Sequence, residues 1–360
     1  MINEALLKNE ELAVFRLRDL YSGFGYTQYK MNKFEEYELY VRNKDFLISD
    51  RVITFTDTNG KLLALKPDVT LSIINSFGKS INGIHKMYYN ENVYRVSGGT
   101  GRFKEIMQTG LECIGNIGIY EICEVLYLAI KSLEVIDDAY SLELAHAGLT
   151  LSLLKDAGIN DSIVDGILQD ISLKSTGKSE KLFCEGLLTE EQFGLISAMT
   201  LNYSDKKGFS ETFSQYLKSD DSIKCFKEFS DIISWVPSEN ITVNFSLSGD
   251  AGYYSGIIFK GYINGIPVSV LSGGQYDKLI RKLGSAGGAV GFAVYLDSFE
   301  RFRVSSPEFD VDVVIIADKN DSPEEILRLT EELRGKGESV LVQSKVPENI
   351  KYRRTVTVKG

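Results

Sequence analysis

The chain has 360 residues, 43% apolar and 25% charged, with 50 acidic against 40 basic side chains and a net charge of -10. That is chain enough for two or three domains with a proper core, and the composition excludes disordered, collagen-like and coiled-coil proteins. A negative surface repels a phosphate backbone, which disfavours nucleic acid as the main partner. Cys113, Cys123, Cys184 and Cys225 form no CxxC pair, and two histidines in the whole chain are too little soft ligand for a structural zinc site. With no run of about 18 apolar residues, and the acidic start MINEALLKNEEL where a signal peptide would be basic and then apolar, the chain reads as cytoplasmic and free of membrane segments.

Leu6, Leu7, Leu12, Phe15, Leu17, Leu20 and Tyr21 recur at helical spacing until Gly23 and Gly25. VITFT and KLLAL flank Asp57, Thr58, Asn59 and Gly60 and predict a hairpin over 51–65. A second hairpin is expected from Lys86–Tyr89 and Val93–Val96 around Asn90, Glu91 and Asn92, followed by a glycine-rich loop over 97–101. In EIMQTGLECIG (105–115), strand alternation puts Met107, Thr109, Leu111 and Cys113 on one face and Gln108, Gly110 and Glu112 on the other. The second face sets an amide and a carboxylate about 7 Å apart with no side chain between them, as in a pocket floor. The competing reading is the wetted face of an ordinary antiparallel sheet.

From 121 to 240 the pattern is mostly helical, opening with YEICEVLYLAIKSLEVI and broken at Gly158, Gly177, Gly186 and Gly208. Strand composition returns at ITVNFSL (241–247) and in a hairpin of YYSGIIFKGY and IPVSVL turning at Asn264 and Gly265. Ser272–Asp277 reads as a glycine turn entering the helix YDKLIRKLG, and AVGFAVYLDSFERF as a strand running into a helix. After a linker at Pro307 come DVVIIA, a helix capped by Ser322 with Pro323 first and Glu325 completing a capping box, then SVLVQ and TVTVK. His85 and His146 read as packing residues, and Trp235 as an anchor ending the helical stretch.

In this order the segments resemble the histidyl-tRNA synthetase type of class II aminoacyl-tRNA synthetase over roughly residues 5–303. LALKPDVT (63–70) is similar to that family's LRPE-T element, and VYRV through GRFKEIMQTGLECIG (93–115) to motif 2 and the strand behind it. DAGYYSGIIF, SGGQYDKL and GGAVGFAVYLDSF stand where the YYTG element, the GGRYD turn and motif 3 would fall. The resemblance implies an α+β fold, a class II synthetase-like antiparallel sheet flanked by helices. Its core would be discontinuous over 1–120 and 241–304, with the helical insertion over 121–240 and a truncated anticodon-binding-like α/β unit over 308–360.

The resemblance also implies a histidine site. Asp68 (glutamate in the enzymes) and Gln108 would receive the ammonium, and Glu112 would accept from the imidazole or order a tyrosine. Tyr254 and Tyr276 would wall the ring, and Thr70 keeps its place in the LRPE-T element, where Lys66 replaces the arginine. Tyr253 is expected in the core, because only one of two adjacent strand residues can face a pocket. The cations that hold ATP are mostly gone, since Gly249, Gln275 and Ser298 stand for arginines; Ser97 stands where motif 2 has a glutamate, and Tyr295 stands for a motif 3 glycine. Arg95 and Arg102 remain for residual anion contacts. Such a pattern resembles the regulatory subunits of ATP phosphoribosyltransferase, noncatalytic paralogues of the synthetases. That branch implies L-histidine as a feedback ligand, no cofactor and no metal, a short-form catalytic subunit as partner, a homodimer within a larger hetero-oligomer, and no grip on tRNA. The alternative is an active histidyl-tRNA synthetase with degraded ATP motifs.

Overall fold

A computed structural model describes residues 7–43, 52–77, 83–96, 101–201, 204–250, 253–298 and 308–358. The strands of its first part are β1 (Thr27–Gln28), β2 (Phe34–Glu36), β3 (Thr54–Thr56), β4 (Leu62–Leu65), β5 (Ile84–Val96), β6 (Phe103–Gly115) and β7 (Tyr140–His146). They are followed by β8 (Ile241–Val243), β9 (Ile257–Ile263), β10 (Leu271–Gln275), β11 (Gly288–Tyr295), β12 (Val311–Ile316), β13 (Val340–Gln343) and β14 (Tyr352–Thr357). The chain divides into two compact units, Met1–Phe302 and Arg303–Gly360.

The first unit is built on an eight-stranded sheet in the order β1-β5-β6-β11-β10-β9-β7-β8, so the expected α+β class holds. Its six central strands are antiparallel, while the edge pairs β1–β5 and β7–β8 run parallel. Helices Asn9–Gly23 and Ile119–Ile136 cover one face, burying Leu17, Tyr21, Val125 and Leu126 against Leu111, Cys113 and Phe292. Helices Thr70–Phe77 and Asp277–Lys282 pack on the other face around Ile73, Met87, Tyr89, Ile114 and Tyr276, joined by Ala64 of a small β2-β4-β3 sheet. A sheet covered on both sides has no wetted face, which removes the solvent-facing reading of Gln108 and Glu112.

Four expectations change. Residues 84–96 form one continuous strand paired along its length with β6; Asn90–Asn92 lack a residue of left-handed backbone, so the chain reverses only after Val96, where Gly101 has φ 65°. Ser272–Gln275 is strand β10 rather than a turn, paired with both β9 and β11. The helical stretch 121–240 contains β7, a strand of the main sheet, and the helix Ile119–Ile136 belongs to the main core. Finally, Trp235 ends its helix 48% exposed, at the surface and not in the core. The hairpin of β3 and β4 forms as expected, with Gly60 at φ 82°.

In the second unit β12 lies between β13 and β14, parallel to both, and the helix Pro323–Gly335 contributes Leu333 to a core with Val313 and Ile315. Ser322 Oγ caps that helix by accepting from the Glu324 amide at 3.3 Å.

Candidate functional site

The register of the main sheet sets side chains in rows across one face. Glu112 of β6 lies between Met87 of β5 and Gly291 of β11, Gly110 between Tyr89 and Ala293, and Gln108 between Glu91 and Tyr295; β10 continues the first two rows with Gly274 and Ser272. Four residue steps along the strand separate Gln108 from Glu112, a rise of about 13 Å rather than 7 Å. Nor is the space between them open. The Tyr89 hydroxyl stands 2.6 Å from where a β-carbon of Gly110 would be, so the glycine makes room for a phenol that sequence reading did not anticipate. Tyr89 comes from the neighbouring strand, and only the register reveals it.

Glu112 is 1% exposed. One carboxylate oxygen accepts from Thr70 Oγ1 at 2.6 Å and the other from the Tyr276 hydroxyl. Burial pushes its pKa well above the ordinary value; the Thr70 bond opposes the shift and nearby Asp68 adds to it. The carboxylate reaches Tyr276 by crossing β11, where a β-carbon on Gly291 would collide with it. Tyr276 is buried at the entry of helix Asp277–Lys282, its amide bonded to the Ala289 carbonyl at 2.8 Å.

Asp68 starts helix Thr70–Phe77, one oxygen accepting the Leu71 amide at 2.8 Å. Burial raises its pKa too; the Leu71 bond and the charge of Arg95 pull it back, and Glu35 pushes it further up. Thr70 joins Asp68 and Glu112 to Tyr253, whose hydroxyl is in hydrogen-bond contact with Thr70 and whose pKa burial and the Asp68 charge drive upward. Tyr253 therefore packs against the core of this sheet face, as expected, and also borders the site. Strand alternation does not apply to it, because β9 begins only at Ile257. The Tyr253 ring meets Tyr254 edge-on at 4.8 Å and lies 6.0 Å from Tyr276, while Tyr254 rests against Gly274.

The cations nearby are engaged with protein groups. Lys66 is fully buried and binds Glu91 at 2.7 Å, beside Gln108 in the same row. Arg95 turns its Nε to the Pro67 carbonyl at 3.1 Å and its charge acts on Asp68. Arg102 is exposed next to Gly101. The fold gathers Asp68, Thr70, Glu112, Tyr254 and Tyr276 with Tyr253 and Tyr89, and Gln108 stands two rows along the sheet from Glu112. Among the described residues no group of three or more His, Cys, Asp or Glu side chains could hold a metal ion.

The family model described as histidyl-tRNA synthetase matches residues 2–299. The chain belongs to the histidyl-tRNA synthetase family. Within it, the ATP phosphoribosyltransferase regulatory subunit of Clostridium kluyveri is 27% identical over 316 residues, covering 85% of this chain and 79% of that relative. Two solved structures share the class II synthetase-like fold. One is an ATP phosphoribosyltransferase regulatory subunit/histidyl-tRNA synthetase from Bacillus halodurans, with TM-score 0.78, 21% identity, and coverage of 97% of this chain and 93% of that one. The other is an ATP phosphoribosyl transferase complex from Thermotoga maritima, with TM-score 0.64, 20% identity, and coverage of 80% and 97%. Of the positions that depart from the ATP motifs in the resemblance above, Gly249 lies in the 3-10 turn Phe245–Asp250 and Ser298 ends the turn Leu296–Ser298. Gln275 ends β10, its amide donating to Asp277 at 2.8 Å, and Ser97 lies outside the described residues.

Proposed function

We propose that the protein is the noncatalytic regulatory subunit of an ATP phosphoribosyltransferase and binds L-histidine in the cluster of Asp68, Thr70, Gln108, Glu112, Tyr254 and Tyr276, with Tyr253 added. One observation carries the reading: buried carboxylates and phenols suited to an ammonium and an imidazole are intact, while Lys66 and Arg95 are tied to Glu91, Pro67 and Asp68. Adenylation needs cations on the phosphate under attack, and each lost contact of that kind costs about 1.5 to 3 kcal/mol. The names of the relative from C. kluyveri and of the T. maritima complex support an ATP phosphoribosyltransferase catalytic subunit as the partner, and we take it to be the short form. The protein acts in the cytoplasm, in keeping with four unpaired cysteines, and as a homodimer within the larger assembly.

The test is made on the purified chain, alone and with an ATP phosphoribosyltransferase catalytic subunit. L-histidine titrated by calorimetry should bind in at least one of the two preparations, and histidine-dependent exchange of pyrophosphate into ATP should be absent. Clear exchange would identify an active histidyl-tRNA synthetase instead.

A further inference from the structure

Beyond Glu112, the site face of the sheet carries a floor of small residues, Gly291 and Ala293 on β11 and Gly274 and Ser272 on β10. The row after Ala293 then brings one large side chain, Tyr295. Its hydroxyl is 2.6 Å from Ser272 Oγ, although Ser272 is the register partner of Ala293 and not of Tyr295. A diagonal pair of this kind is within reach only if the phenol leans across the interstrand gap, past Ala293 and along the sheet instead of upright. The backbone of Tyr295 is fixed as well, its amide bonded to the Val270 carbonyl at 2.8 Å, so the point from which the ring leaves the strand is set.

We propose that Tyr295, latched to Ser272, is the residue that limits this site to a free amino acid and shuts out derivatives extended at the carboxyl group. The inference rests on the histidine-binding reading above. With the imidazole at Glu112 and the ammonium at Asp68 and Gln108, the remaining substituent, the carboxylate, is directed over Ala293 and Ser272. That is where the ring of Tyr295 lies. A free carboxylate fits beside it, whereas an amide, ester or anhydride carrying a bulky group needs the space the ring fills. Discrimination of this sort comes from steric exclusion and needs no loss of contacts to the amino acid itself.

The experiment compares L-histidine with L-histidine β-naphthylamide by calorimetry on the full chain, in the preparation that binds histidine. Wild type should bind the naphthylamide at least 50-fold more weakly than histidine. Tyr295→Ala should shrink that ratio at least tenfold, and Tyr295→Phe, which keeps the ring and loses only the bond to Ser272, should retain most of it. An unchanged ratio in Tyr295→Ala, or a wild type that takes both ligands equally, overturns the proposal. A second measurement needs no ligand. In an Ala293→Cys background, labelling of position 293 by N-ethylmaleimide, located by peptide mass mapping, should accelerate at least tenfold when Tyr295→Ala is added. If wild type binds neither ligand, the histidine reading falls by itself and the labelling decides the role of Tyr295: equal rates reject it.

Discussion

The Glu112 carboxylate occupies the space that a β-carbon on Gly291 would fill, so a residue of one strand fixes the position of the charge on its neighbour. Gly291→Ala forces the carboxylate off its bonds to Thr70 and Tyr276. The expected cost is about 1 to 3 kcal/mol of stability, as for other overpacked interiors, together with weakened histidine binding. Urea unfolding and calorimetry on the same preparation measure the two effects; a variant as stable as wild type would show that the sheet relaxes around the methyl group.

Glu112→Gln keeps the volume and removes the charge. If the carboxylate accepts from the ligand or orders Tyr276, histidine affinity should fall by about 1.5 to 3 kcal/mol, roughly tenfold to 150-fold. His85, packed against Phe77 at 4.8 Å between ring centres, has no part in the cluster, and its replacement should leave the titration unchanged. Equal binding by Glu112→Gln and wild type would move the pocket elsewhere.

Stability of the ligand-free protein should depend on pH through the same two carboxyls. Glu112 and Asp68 have folded-state pKa values raised above 4.5 and 3.8, so the native state holds protons that the unfolded chain releases. Their contribution is fully present below those ordinary values and is lost as pH rises through the raised ones. Relative to wild type, Glu112→Gln should therefore gain stability steadily from about pH 4.5 upward. Urea midpoints of the two proteins between pH 4.5 and 8 test the sign: parallel curves would mean that Glu112 titrates normally.

The Lys66–Glu91 pair joins the end of the small sheet to the row of Gln108. Lys66→Met strands a carboxylate with little access to water and should cost about 3 kcal/mol or more, whereas Lys66→Met with Glu91→Met should recover much of the loss. Chemical denaturation of the three variants provides the cycle. Additive losses would show that the pair is not coupled.

For assembly, helix Asn9–Gly23 leaves Phe15 47% exposed, and Phe24 just beyond it is 38% exposed. A homodimer that covers this helix should give twice the monomer mass of 40.2 kDa in light scattering at micromolar concentration. A monomeric mass would contradict it.

Periodicity was enough to read the helix before Gly23, the split of β6 into an apolar and a polar face, and the strand and helix units of the C-terminal segment, because each is a local pattern of side-chain direction. Ordered motifs carried the family resemblance and most of the polar site residues. What no local pattern contains is which strand lies beside which. The phenol of Tyr89 over Gly110, the carboxylate of Glu112 over Gly291, the diagonal of Tyr295 to Ser272 and the capture of Lys66 by Glu91 all join residues far apart in the chain. Ser272–Gln275 shows the reason most plainly: two glycines signal a turn when read along the chain, yet they form a strand because β9 and β11 supply hydrogen bonds on both sides and Phe292 and Tyr254 fill the room the missing side chains leave. Local propensity is worth less than about 1 kcal/mol per residue, and pairing with burial on two faces outweighs it, so the sequence determined the chemistry carried by each segment and the tertiary structure decided which groups meet.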